Sequence, residues 1–258
     1  MVVGILLIGH LWADFFLQTA KLAELKKQKI CYLLLHSGIY AAVFCIINYV
    51  FLTPAYATYV TLILAFTHFW VDFIRCKFDC KWNKPKNNFI SFLCDQAVHI
   101  GIIIGVYFLF ELGEHLSRIG LQCIKAPEVR DGILYVLLFT VLTFPVAVFM
   151  KKLLAMLFES QTGISNKNTK NKEATPLENP NVGSMIGMLE RVIVAVLLLC
   201  NQYSAIGLVL TAKSIARFKQ LEEKDFAEKY LIGTLSSLLI ALVMTLVVEE
   251  LLKTGICS

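Results

Sequence analysis

The sequence predicts an all-α fold: a polytopic bundle of about six or seven transmembrane helices, with a cytoplasmic linker and one charged interfacial helix. Three observations carry this reading. Of 258 residues, 57% are hydrophobic and 17% are charged, against roughly 45–50% and about 25% in soluble domains. The charges cluster, leaving Ile30–Val71, Gln96–Phe110, Gly132–Met150, Val192–Ala212 and Tyr230–Val248 without Asp, Glu, Lys or Arg. These runs are continuous rather than alternating, which suits helices and not barrel strands. A bilayer core of about 30 Å needs roughly 20 apolar residues at about 1.5 Å each. The composition excludes a soluble enzyme, a secreted disulfide scaffold and a disordered chain.

Seven segments follow in order: about 2–19, 31–52, 55–75, 89–111, 132–158, 185–212 and 230–253. The first lacks a basic leader and contains His10 and Asp14, so it reads as a retained span and not a cleaved signal. Thr53-Pro54 divides the long Ile30–Val71 run into two spans, because the residue before proline disfavours helix. Lysines fill the 20–30 and 76–88 connections and return after 150, whereas the 53–56 turn has no charge and 112–131 is mixed. This alternation places the N-terminus outside and the lysine-rich loops in the cytoplasm. The 185–212 run is open to two paths: a single crossing, or a re-entrant pair of half-helices broken at Asn201-Gln202.

The expected organisation is a four-helix membrane region over 1–111, an outer loop and fifth span over 112–158, a flexible cytoplasmic linker over 159–182, and a distal membrane region over 183–258. That last region carries a charged helix at 213–229, suited to contacting a partner protein. The net charge of +5 is the positive-inside signal and not a nucleic-acid footprint, since no basic run is interleaved with aromatics. Of eight cysteines, Cys31, Cys45, Cys94 and Cys200 fall in apolar runs and Cys76 and Cys80 in a lysine-rich loop, so free thiols are expected rather than a disulfide framework.

The chemistry-bearing residues lie inside the proximal spans. They are His10-x-x-x-Asp14, His36, His68-x-x-x-Asp72 and Asp95-x-x-x-His99. An i, i+4 pair shares one helical face. Each ionisable group at bilayer depth costs roughly 2.5–3.5 kcal/mol and therefore needs a partner or a role. Counted from the cytoplasmic loops, all seven fall in one layer roughly 5–16 Å below the boundary. Imidazole and carboxylate form the ligand set for a divalent metal, zinc first. Asp72 or Asp95 is the candidate general base for a metal-dependent hydrolase of a lipid-like substrate. The alternatives are a metal-ion or proton-coupled transporter, and a sensing or partner-binding module with a structural His/Asp network. Gln18 and Gln96 adjoin the cluster as supporting donors or as simple interfacial residues, not as ligands, and His115 is expected to be solvated. Distally, Arg191, Lys213 and Arg217 suit an anionic head group or phosphate. The competing reading pairs Glu190 with Arg191 or a neighbour and lets Lys213 and Arg217 snorkel.

The stretches HLWADFFLQ (10–18), THFWVDF (67–73) and FLCDQAVH (92–99) resemble the bacterial membrane family catalogued as domain of unknown function 3307. So do GSMIGMLERVIV (183–194), AIGLVLTAKSIARFKQLE (205–222) and FAEKYLIGTLSS (226–237). The resemblance implies a multi-pass protein of the bacterial inner membrane and carries no established reaction. More loosely, the proximal pattern is similar to membrane-bound metal-dependent hydrolases, whose intramembrane His and Asp residues imply a metal site.

Overall fold

The computed structural model describes residues 1–81, 84–158 and 180–254, and every regular element among them is helical. Helix α1 (Val2–Leu11) runs into a π turn (Trp12–Phe16), followed by α2 (Ala20–Gln28), α3 (Ile30–Phe51), α4 (Pro54–Lys81) and α5 (Pro85–Leu109). Then come α6 (Arg118–Lys125), α7 (Pro127–Leu142), α8 (Phe144–Phe158), α9 (Pro180–Leu199), α10 (Tyr203–Ala216), α11 (Phe218–Leu221) and α12 (Lys224–Thr254). Among the described residues, six helical stretches are long and apolar enough to cross a membrane, or seven if the bent N-terminal pair counts as one span. The chain is a multi-pass, all-α membrane protein. It divides into two compact units, Met1–Thr140 and Val141–Lys253. The expected 159–182 linker lies almost wholly outside the described residues, as does the side chain of Cys80.

In the first unit the expected 2–19 span is shorter, because α1 and its π turn bend by 82° into α2. Thr19 makes the new start: its backbone is extended and its hydroxyl accepts from the Leu22 amide at 3.2 Å. Helices α3 and α4 turn back on each other through Leu52-Thr53, with Pro54 supplying the fixed φ of a helix start. A strap after α5 covers that turn. Leu116 bridges Leu52, Thr53 donates to the His115 carbonyl at 3.0 Å, and the Ser117 hydroxyl donates to the Val50 carbonyl at 2.6 Å. Gly120 in α6 lies so close to the Phe51 carbonyl that a Cβ would collide with it. His115 is half-buried, its ring stacked on Tyr56 at 3.6 Å between centroids, and not simply solvated.

The core of this unit is built by Leu6, Ala13, Tyr40, Phe44, Leu64 and Ile103, drawn from α1 with its π turn, α3, α4 and α5. Leu34, Ile46, Leu62, Phe66 and Phe108 are exposed instead, as expected of side chains that meet lipid. The second unit shows two breaks. Residue 143 separates α7 from α8 just before Pro145, whose ring cannot sit in an uninterrupted helix. Asn201, at φ +57°, ends α9 and redirects the chain into the 14-residue α10, which at about 21 Å is too short to cross alone. The expected charged helix at 213–229 is divided among the end of α10, α11 and the start of α12.

Candidate metal centre

Each proximal span contributes to one buried cluster. α1 carries His10, its π turn Asp14, α3 His36, α4 His68 and Asp72, and α5 Asp95 and His99. None of the seven is more than 8% exposed. The π turn matters here because Leu17 donates to the Trp12 carbonyl five residues back at 2.9 Å, widening the turn that presents Asp14. π turns of this kind recur at functional sites.

At the centre, His36 Nε2 and His68 Nε2 lie 3.1 Å apart. Asp72 Oδ2 is 3.3 Å from the first and 3.6 Å from the second. Asp14 Oδ1 stands at the same two distances, 3.3 and 3.6 Å, on the same histidine pair. Ligands bound tetrahedrally at about 2.0–2.1 Å are separated by roughly 3.3–3.4 Å, so both triangles have the edge length of such a site. His10 joins as part of a second group, whose ligand atoms with Asp14 and His68 fall within 4.8 Å of one another. The arrangement could hold a metal ion.

Several atoms here face no hydrogen-bonding partner although buried: Oδ1 of Asp72 and Asp95, and Nε2 of His99. Buried polar atoms left so are uncommon and point to an additional partner. His99 is further prepared, because its Nδ1 lies 2.9 Å from the Asp95 carbonyl and so carries the proton. Its Nε2 is then left as a bare lone pair, the tautomer that metal-ligating histidines adopt. Asp14 makes the charge argument. Its ion-pairing neighbours are His10, His36 and His68, with no Lys or Arg among the described residues. A buried carboxylate needs a compensating cation.

The other two carboxylates have one. Lys26 Nζ, itself buried, donates to Asp72 Oδ2 at 2.6 Å, and Arg75 Nη1 donates to Asp95 Oδ2 at 2.7 Å. Gln96 ties the layer together: its Nε2 reaches Asp95 Oδ2 at 3.1 Å and Asp14 Oδ2 at 3.4 Å, while its Oε1 lies 3.3 Å from His10 Nε2. Tyr40 stacks on His68 at 3.7 Å between centroids and fixes that ring.

Residues 2–121 match the model of a protein family of unknown function, DUF3307. No curated protein and no solved structure gives a significant match. The DUF3307-like segment contains all seven cluster residues together with Lys26, Arg75 and Gln96.

Sequence reasoning missed Lys26 and Arg75, both counted as loop charges. For Lys26 a signal existed: it stands four residues after Leu22, and these two are the buried residues of α2. The distal residues belong to the second unit. Arg191 is buried and donates from Nε to the Leu142 carbonyl at 2.6 Å, from Nη2 to the Thr143 carbonyl at 3.1 Å and from Nη1 to Ser237 at 3.2 Å. Lys213 pairs with Glu190 at 2.5 Å and also reaches Thr234, while Arg217 lies over the Phe226 ring at 5.9 Å. Glu190 therefore pairs with Lys213 and not with Arg191. All three cations meet protein partners, and Arg191 serves the broken backbone between α7 and α8.

Proposed function

We propose that the DUF3307-like segment holds a divalent metal, zinc first among candidates, and that the protein is a metal-dependent hydrolase. The substrate would be lipid-like and reached at the cytoplasmic side of a bacterial inner membrane. The observation that carries this reading is the pair of triangles on the His36–His68 edge, each closed by a buried carboxylate oxygen. His36, His68, Asp14 and Asp72 would bind the metal, with His10 and His99 adjoining. Bound there, a metal would supply Lewis acidity and a water activated at neutral pH.

The chain's own residues support the rest. Asp72 and Asp95 are the candidate general bases: each has one oxygen held by a cation, Lys26 or Arg75, and a buried Oδ1 without a hydrogen-bond partner. Lys26 and Arg75 would stabilise developing negative charge beside the cluster. The orientation, with the N-terminus outside, rests on the lysines between 21 and 29 and between 77 and 86, which fall at the same end of the α3–α4 pair.

Metal analysis of the protein purified in detergent, after dialysis and reloading with zinc, tests this. Stoichiometric metal that His36→Ala and His68→Ala abolish and His115→Ala retains is the expected result. No retained metal in the wild type would overturn it.

A second reading is favoured by the Lys26–Asp72 and Arg75–Asp95 pairs. In it the layer is a charge network that fixes the helices of a sensing module, and the same experiment finds no metal in any variant.

A further inference from the structure

A groove of about 720 Å³ opens between the α2–α3 junction and the end of α4. Its volume falls within the roughly 300–1,000 Å³ of small-molecule sites. Lys26, Lys27, Lys29 and Lys77 line it, and among the described residues no Asp or Glu does. The remaining wall is largely apolar, with Leu33 and Phe73 deepest in sequence from the two helix ends. The groove sits where the span Ile30–Phe51 begins and the span Pro54–Asp79 ends, which is the level of lipid head groups. Helix α3 starts in its wall with no side chain capping the first amides, so the positive end of its dipole faces the same space.

We propose that this groove binds one acidic phospholipid, its phosphate among the lysines and its first acyl carbons along Leu33 and Phe73. Charge complementarity selects the occupant: Lys29 and Lys77 pair with no acid among the described residues and favour an anion, and the apolar wall favours one with a hydrocarbon tail. The lysines do not have equal roles. Lys27 is engaged by Asp79 at 2.8 Å and Lys26 by Asp72 at 2.6 Å, whereas Lys29 and Lys77 are exposed. Lys77 is already steered, its Nζ lying 4.6 Å over the Phe73 ring. Lys29 and Lys77 therefore hold the phosphate from opposite walls. Lys26 is common to groove and cluster, so a bound head group lies one side chain away from Asp72. This site does not depend on whether the cluster holds metal.

Native mass spectrometry of the delipidated full chain, titrated with phosphatidylglycerol or phosphatidylcholine, tests the proposal. One phosphatidylglycerol should bind saturably and in preference to phosphatidylcholine. Lys29→Gln with Lys77→Gln should weaken it about thirtyfold, from roughly a tenfold loss per 1.4 kcal/mol and about 1 kcal/mol per basic residue. Thermal unfolding of that variant in detergent should be unchanged, since neither lysine supports the fold. Inorganic phosphate at millimolar concentration should not displace the lipid. Several weak lipids without saturation, equal binding of phosphatidylcholine, or displacement by phosphate would each overturn the proposal. Metal content measured on the same samples separates its failure from failure of the metal reading.

Discussion

Lys26 and Asp72 form a 2.6 Å ion pair between a helix that bends away from the first span and the fourth helix, and both side chains are buried. Removing one member leaves the other charge without compensation, which costs about 3–5 kcal/mol at such sites. Lys26→Met and Asp72→Asn should each lower the unfolding temperature in detergent, and the double variant should recover much of the loss. Equal, additive losses in the double variant would mean that the two residues act separately.

Gln96 touches His10, Asp14 and Asp95 at once. Residues that orient metal ligands in this way typically carry about 10–100-fold in metal affinity. Gln96→Leu should therefore weaken zinc binding by that range while His36→Ala abolishes it, as read by competition with a chromogenic chelator.

Arg191 satisfies two main-chain carbonyls at the interruption between α7 and α8. A buried acceptor left unpaired costs about 1–3 kcal/mol, and in hydrocarbon there is no water to take the place of the guanidinium. Arg191→Met should destabilise the second unit, measured as faster proteolysis of residues 180–254, without changing metal content. Unchanged proteolysis would show that the break is satisfied by other groups.

Gly120→Ala places a methyl group against the Phe51 carbonyl and Leu116, where both the backbone and a packed side chain would have to move. Such overpacking costs about 1–3 kcal/mol. Gly101, whose Cβ direction is open, is the control: Gly101→Ala should be neutral or stabilising by about 0.5–1 kcal/mol through helix propensity. Thermal unfolding of the two variants side by side decides this.

Much of the fold was legible because hydropathy reports the boundary with lipid, which α3, α4 and α5 each meet along a whole face. The Thr53-Pro54 turn followed from proline geometry, and the His and Asp residues stood out because charge is expensive in hydrocarbon. What the sequence concealed was local exchange between loop and core. The 20–30 connection read as a lysine-rich cytoplasmic loop, yet it folds as α2 and sends one of its lysines inward while its neighbour Lys27 stays exposed. A charge count over a loop has no access to which face of a short helix is covered. The break near residue 143 was equally hidden, since Arg191 repairs it from a distant helix and nothing near Pro145 signals that repair.

The π turn at Trp12–Phe16 is, in effect, one extra residue accommodated in the first helix. Deleting any one residue of that turn would give a more regular helix, and by ordinary measures a better one. The widened turn absorbs that residue locally, so the register of the helix above it is kept and the displacement falls on the turn itself, where Asp14 sits. His10 stays on the aliphatic helix while Asp14, on the bulge below, comes within 3.9 Å of it and faces His36 and His68. A tidier helix would keep its histidine and lose the presentation of its carboxylate.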